Sequence, residues 1–158
     1  MNVNAGLTFR ARSGEPTDYL GAYPRYGRGE TSILPRGSGE RLPWVETFDA
    51  HLGLAFRLTK ASELVVGADV FNLFNFQQVT GRDEEYTRAN VLPIADGTLA
   101  NLPAKRPDGS YVCAPPACKL KYATDGSAFD PVDRNPNFGN PTGYQAPRSF
   151  RFSAKVMF

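Results

Sequence analysis

No run in this sequence approaches the roughly 18 consecutive apolar residues that a membrane-spanning helix requires, and the mean hydropathy of -0.37 is too polar for a helical membrane protein. That shortage does not exclude a transmembrane β-barrel, because half of each barrel strand faces a polar lumen and the external loops are polar as well. Met1 is followed by Asn2-Val3-Asn4-Ala5-Gly6, without a basic n-region or an apolar h-region, so no secretory leader starts the chain. The expectation is either a cytosolic protein or the tail of a longer polypeptide whose leader is missing. Histidine is nearly absent: His51 stands alone, so a catalytic triad or histidine-rich metal centre would have to be built around it, and its place in a polar face beside Asp49 reads as a lumen-facing polar side chain. The net charge of +2 gives no general basic field, and the short mixed segment Tyr23-Pro24-Arg25-Tyr26-Gly27-Arg28 is too small to act as a nucleic-acid patch. No nucleic-acid partner is expected.

Cysteine is scarce too, with Cys113 and Cys118 as the pair. Four intervening residues, two of them proline, do not match the redox-active two-residue spacing, and no second Cys or His pair completes a zinc site. A local disulfide that pinches a surface loop is the reading this spacing favours, and it would place that loop in an oxidising compartment. Asp125, Asp130, Asp133, Asn135 and Asn137 supply hard oxygen atoms, but their spacing misses the EF-hand pattern and suits turn formation. Gly37-Ser38-Gly39 precedes a proline and a strand where a phosphate loop needs a helix. Neither a cofactor nor a metal site is expected, and the chain does not read as an enzyme.

What the sequence does hold is long alternation of apolar and polar residues. At 147–158, Phe150, Phe152, Ala154, Val156 and Phe158 fall on one face while Ser149, Arg151, Ser153 and Lys155 fall on the other, since successive strand side chains point to opposite sides. The same pattern predicts strands over 3–12, 45–58 and 62–75, the last losing its alternation at Phe71-Asn72-Leu73-Phe74-Asn75, where a bulge or a strand end would account for the slip. Ordinary strands average about 5 to 6 residues, whereas a tilted membrane-crossing strand needs roughly 9 to 11. The connections are sharply unequal: a short turn at 59–61, against loops over 13–44 and 76–146. Barrels in membranes have short periplasmic turns and long external loops, and the parity of these strands puts both long loops on one side. Trp44, Phe48, Phe74, Phe76 and Phe150 gather near one set of strand ends, with Phe56 and Phe158 near the other, as two aromatic girdles would be distributed. The predicted fold is all-β, an antiparallel partial barrel of about four long strands with two long external loops.

The segment Gly67-Ala68-Asp69-Val70-Phe71-Asn72-Leu73-Phe74-Asn75 and the tail Asn137-Phe138-Gly139 through Pro147-Arg148-Ser149-Phe150-Arg151-Phe152 resemble the C-terminal barrel segment of TonB-dependent outer-membrane receptors. The resemblance covers most of this chain but only the last few strands of a family barrel, which has about 22. It implies a piece of an outer-membrane receptor of a Gram-negative bacterium, lacking plug domain and signal peptide, and serving TonB-energised uptake of a scarce substrate. Its partners would be outer-membrane lipid, the remainder of the barrel and plug, TonB through the missing N-terminal part, and the barrel-assembly machinery. The assembly signal implied by the resemblance falls on Arg151, Ser153, Val156 and Phe158, with Ser153 standing where glycine is usual. Tyr19, Tyr23, Arg25 and Tyr26 in the first long loop are candidate ligand contacts, because tyrosine offers a large contact area at low entropic cost. The alternative is a self-contained soluble or secreted β-sheet binding module. An open four-stranded sheet would leave two edges and an apolar face in water, so on the receptor reading the chain alone should be insoluble without detergent.

Overall fold

The computed structural model describes residues 1–158, which form two compact units. Eleven strands run along the chain: β1 (Asn2–Arg12), β2 (Leu20–Tyr23), β3 (Gly27–Ser32), β4 (Val45–Arg57), β5 (Glu63–Phe71), β6 (Val79–Arg82), β7 (Glu85–Asn90), β8 (Ala104–Lys105), β9 (Tyr111–Val112), β10 (Pro141–Tyr144) and β11 (Ser149–Met157). The first unit, Met1–Ser13, Pro43–Gln78 and Tyr144–Phe158, is an antiparallel sheet in the order β1-β4-β5-β11.

Register explains why alternation in four separate segments becomes one two-faced sheet. Leu7, Ala50, Val70 and Phe150 lie in one cross-strand row, and Ala5, Leu52, Ala68 and Phe152 in another. Between those rows, on the opposite face, Gly6, His51, Asp69 and Arg151 line up. A one-residue slip in any strand would put charge among the apolar rows, so the pattern fixes the pairing. The apolar face is uncovered: Leu7 is 78% and Phe152 80% exposed. On the polar face Asp69 accepts from His51 Nδ1 (2.6 Å) and Arg151 Nε (2.9 Å), and Arg10 Nη2 donates to Asp49 (2.6 Å).

β4 and β5 are joined by a tight turn in which the Leu58 and Thr59 N–H groups both donate to the Ser62 carbonyl, at 2.9 and 3.1 Å. At the other end of the sheet Arg12 pairs with Val45 and Ser149 with Phe71, so both long connections leave from that end. Phe9, Phe48, Phe74 and Phe76 cluster there, with ring centroids 4.5 to 6.4 Å apart.

The third strand stops at Phe71 rather than running on to 75, and Asn72 is the cause. Its φ of 53° lies in the left-handed region, which asparagine tolerates better than most residues. The side chain then replaces the sheet ladder. Asn72 Oδ1 accepts from the Phe76 N–H (2.9 Å), and Nδ2 donates to the carbonyls of Phe76 and Ala146 (both 2.8 Å). Asn75, also left-handed at φ 55°, accepts from the Arg148 N–H through Oδ1 (2.9 Å). The two asparagines therefore tie the exit of β5 to the lead-in of β11.

The second unit, Gly14–Leu42 and Val79–Gly143, is where the expectation of plain loops is revised. It holds the three-stranded sheet β3-β2-β7 and the pairs β10-β6 and β8-β9. Its core is Ile33, Leu34, Tyr86, Val91, Ile94, Leu102, Cys118, Leu120 and Phe129, and burying these apolar side chains drives the two insertions together. β2 lies so close to Val91 that a Cβ on Gly21 would sit 2.4 Å from Val91 Cγ2, so only glycine fits. Cys113 and Cys118 are disulfide-bonded, and Cys118 belongs to the core, so the bridge anchors its loop to the packed interior.

Candidate functional site

The β2–β3 hairpin of the second unit builds an open cleft of about 450 Å³, lined by Tyr23, Arg25, Tyr26, Glu30, Thr31, Ser32, Leu92 and Pro93. Its rim follows from local chain chemistry. The Tyr26 N–H donates to the Tyr23 carbonyl (3.1 Å), closing a turn, and Gly27 leaves it at φ 95°, a conformation open to glycine. The turn brings the rings of Tyr23 and Tyr26 into a stacked pair, centroids 5.7 Å apart and 23° between planes. Below the rim lie the exposed Glu30, the half-buried Ser32 and the buried Thr31, while Leu92 and Pro93 give an apolar wall. Pockets that hold small ligands occupy roughly 300 to 1,000 Å³ and combine apolar walls with a few fixed polar groups, and this cleft has both.

The hairpin is clipped to its sheet by charge. Arg28 Nε and Nη2 donate to the two oxygens of Glu85 at 3.0 and 2.9 Å, and Arg88 Nε adds a third contact (3.3 Å). The bidentate fork fixes orientation as well as distance. The hydrogen bonds from Arg28 hold the Glu85 carboxyl below its ordinary value, and the same contact raises the Arg28 guanidinium. Deeper in the unit, burial pushes the Tyr86 phenol up to about 12. The Arg134 guanidinium stacks over Tyr111 (4.4 Å), Tyr86 (5.4 Å) and Phe138 (5.4 Å).

Of the four loop residues singled out from the sequence, the cleft gathers Tyr23, Arg25 and Tyr26 but not Tyr19. Tyr19 is half-buried, its ring 4.9 Å from Phe138 and 5.8 Å from Tyr86, and burial raises its phenol above the ordinary value. Glu30, Thr31 and Ser32 were missed although they directly follow the tyrosine turn; a chain that reverses on Tyr23–Gly27 must carry its next residues past the same rim. Leu92 and Pro93 come from the other insertion, and no local signal ties them to it. The remaining candidates lie in the first unit. Arg151 is paired with Asp69, Ser153 stands opposite Gly67 and Val156 opposite Leu64, and Phe158 is fully exposed. The acidic residues weighed for calcium are occupied locally. Asp125 accepts from Ser127, Asp130 from the Val132 N–H and Asp133 from the Tyr122 hydroxyl, and Asn135 donates to Asp83.

No family model matches the chain. No solved structure matches it. Over 161 aligned residues, the whole of this chain is 38% identical to the TonB-dependent transporter Oar of Myxococcus xanthus, and it spans 14% of that protein's length.

Proposed function

We propose, on the premise that this chain is related over its entire length to part of a TonB-dependent transporter, that it supplies four adjacent strands to the wall of an outer-membrane receptor barrel. The barrel would serve TonB-energised uptake of a scarce substrate, with the second unit contributing to ligand capture. The observation that carries this reading is the uncovered apolar face, in register across β1, β4, β5 and β11. An apolar sheet face in water is an aggregation liability, whereas against lipid it is the required surface. The opposite face, with its Asp69, His51 and Arg151 row, suits a water-filled lumen or a polar plug. The outer edges of β1 and β11 pair with no other strand of the sheet, and in hydrocarbon such edges must be closed by further strands. The periplasmic end is then the 58–62 turn, and the long insertions lie outside, in the oxidising setting that suits the Cys113–Cys118 bond.

Arg151, Ser153, Val156 and Phe158 would be read by the barrel-assembly machinery during insertion. The experiment is expression of the chain alone. Recovery only in detergent or as inclusion bodies is the expected result. A monodisperse soluble monomer in plain buffer would overturn the membrane reading and favour a free-standing binding module.

A further inference from the structure

The cleft on the β2–β3 hairpin carries two charges that the fold leaves unpaired. Arg28, three residues after Arg25, is held in a fork by Glu85, whereas neither Arg25 nor Glu30 makes an ion pair, and both line the cleft. One free cation and one free carboxylate share the space with two stacked tyrosine rings, the Ser32 side chain and an apolar wall.

Each element favours a particular partner group. A guanidinium recognises a carboxylate with planar, two-pronged hydrogen bonds. A carboxylate such as that of Glu30 accepts from an ammonium, and charge-assisted contacts of both kinds are stronger than neutral ones. The exposed Tyr26 ring stacked on Tyr23 offers a face to an aromatic or aliphatic group, and the Ser32 hydroxyl can bond a peptide amide. A singly charged ligand would satisfy one of the two charged residues and meet repulsion from the other.

We propose that this cleft binds a short zwitterionic peptide, Arg25 taking its carboxylate, Glu30 its ammonium and the Tyr23–Tyr26 pair its side chain. This rests on the reading of the second unit as a ligand-capturing element, and names the class of ligand.

The test is binding of the dipeptide Leu-Tyr to the full chain in detergent micelles, by calorimetry, beside its N-acetylated and C-amidated forms, a neutral oligosaccharide and free phenol. Free Leu-Tyr should bind at least about tenfold more tightly than either blocked form, the scale expected for one charged hydrogen bond. Arg25→Gln should abolish discrimination against the amide alone, and Glu30→Gln discrimination against the acetylated peptide alone. This pattern cannot arise from misfolding, because each variant keeps the other preference. Equal binding of free and blocked dipeptides would overturn the proposal. Binding of the oligosaccharide or phenol that is lost in Tyr26→Ala, without preference for the zwitterion, would overturn the peptide class and leave ligand capture standing. No binding by any probe would overturn both.

Discussion

Replacing Asn72 by alanine tests whether the Asn-Leu-Phe-Asn turn is what closes the end of the sheet. Asn72 is 4% exposed and its carboxamide makes three hydrogen bonds, one from the Phe76 N–H and one to each of the Phe76 and Ala146 carbonyls. At about 0.5 to 1.5 kcal/mol net for each, their loss amounts to roughly 2 to 4 kcal/mol. Alanine at a φ of 53° adds about 1 to 2 kcal/mol of backbone strain. The bonds share one turn and are not strictly additive, so Asn72→Ala should destabilise the first unit by about 3 to 5 kcal/mol. Asn72→Gly loses the same bonds without the strain and should recover about 1 kcal/mol of this. The assay is urea unfolding in detergent followed by the fluorescence of Trp44, the single tryptophan, which lies in that unit. A loss below about 1 kcal/mol for the alanine variant, or a glycine variant no better than it, would refute the reasoning.

The second unit has its own tests. Phe129 is buried at the centre of its core, so Phe129→Ala should cost about 3 to 5 kcal/mol there, seen as faster proteolysis within 79–143 while the four long strands stay protected. Reducing the Cys113–Cys118 bond, whose cysteines are five positions apart, should lower the unit's stability by roughly 2 kcal/mol, the chain-entropy value for so short a loop, measured as a shift in melting temperature with and without reductant. Glu85 gives a pH dependence. Its folded value lies below the ordinary 4.5, so the Arg28 contact stabilises fully above that pH and is lost as the pH falls through the lower folded value. Thermal melts should show a stability decline in that acid window that flattens in Glu85→Gln, and an unchanged decline would contradict the role given to the clip.

The four long strands were legible because a single physical rule governs them: one face apolar, one polar, period two. Where that rule failed, at Asn72, it failed because a side chain took over the hydrogen bonds of the ladder, and alternation carries no mark of that. The second unit was illegible for a different reason. Ile33 and Leu34 come from one insertion and Val91, Leu120 and Phe129 from the other, with a whole hairpin between them, so no window of sequence contains the core they form. The cleft was half visible. Tyr23, Arg25 and Tyr26 stood out as a local cluster, Leu92 and Pro93 join them only through tertiary packing, and Tyr19 looks the same in sequence as the exposed tyrosines although its ring packs inward.

Whether β11 turns its apolar face to lipid decides between a barrel wall and a free-standing binding module. Spin labels placed one at a time on Ser149 to Met157, in the barrel proposed above reconstituted in bilayers, report oxygen accessibility from lipid and nickel-chelate accessibility from water. The expected result is strict alternation, with positions 150, 152, 154 and 156 oxygen-accessible and 149, 151, 153 and 155 reached by the chelate or shielded from both. Uniform access of the water-soluble chelate along the strand would contradict it.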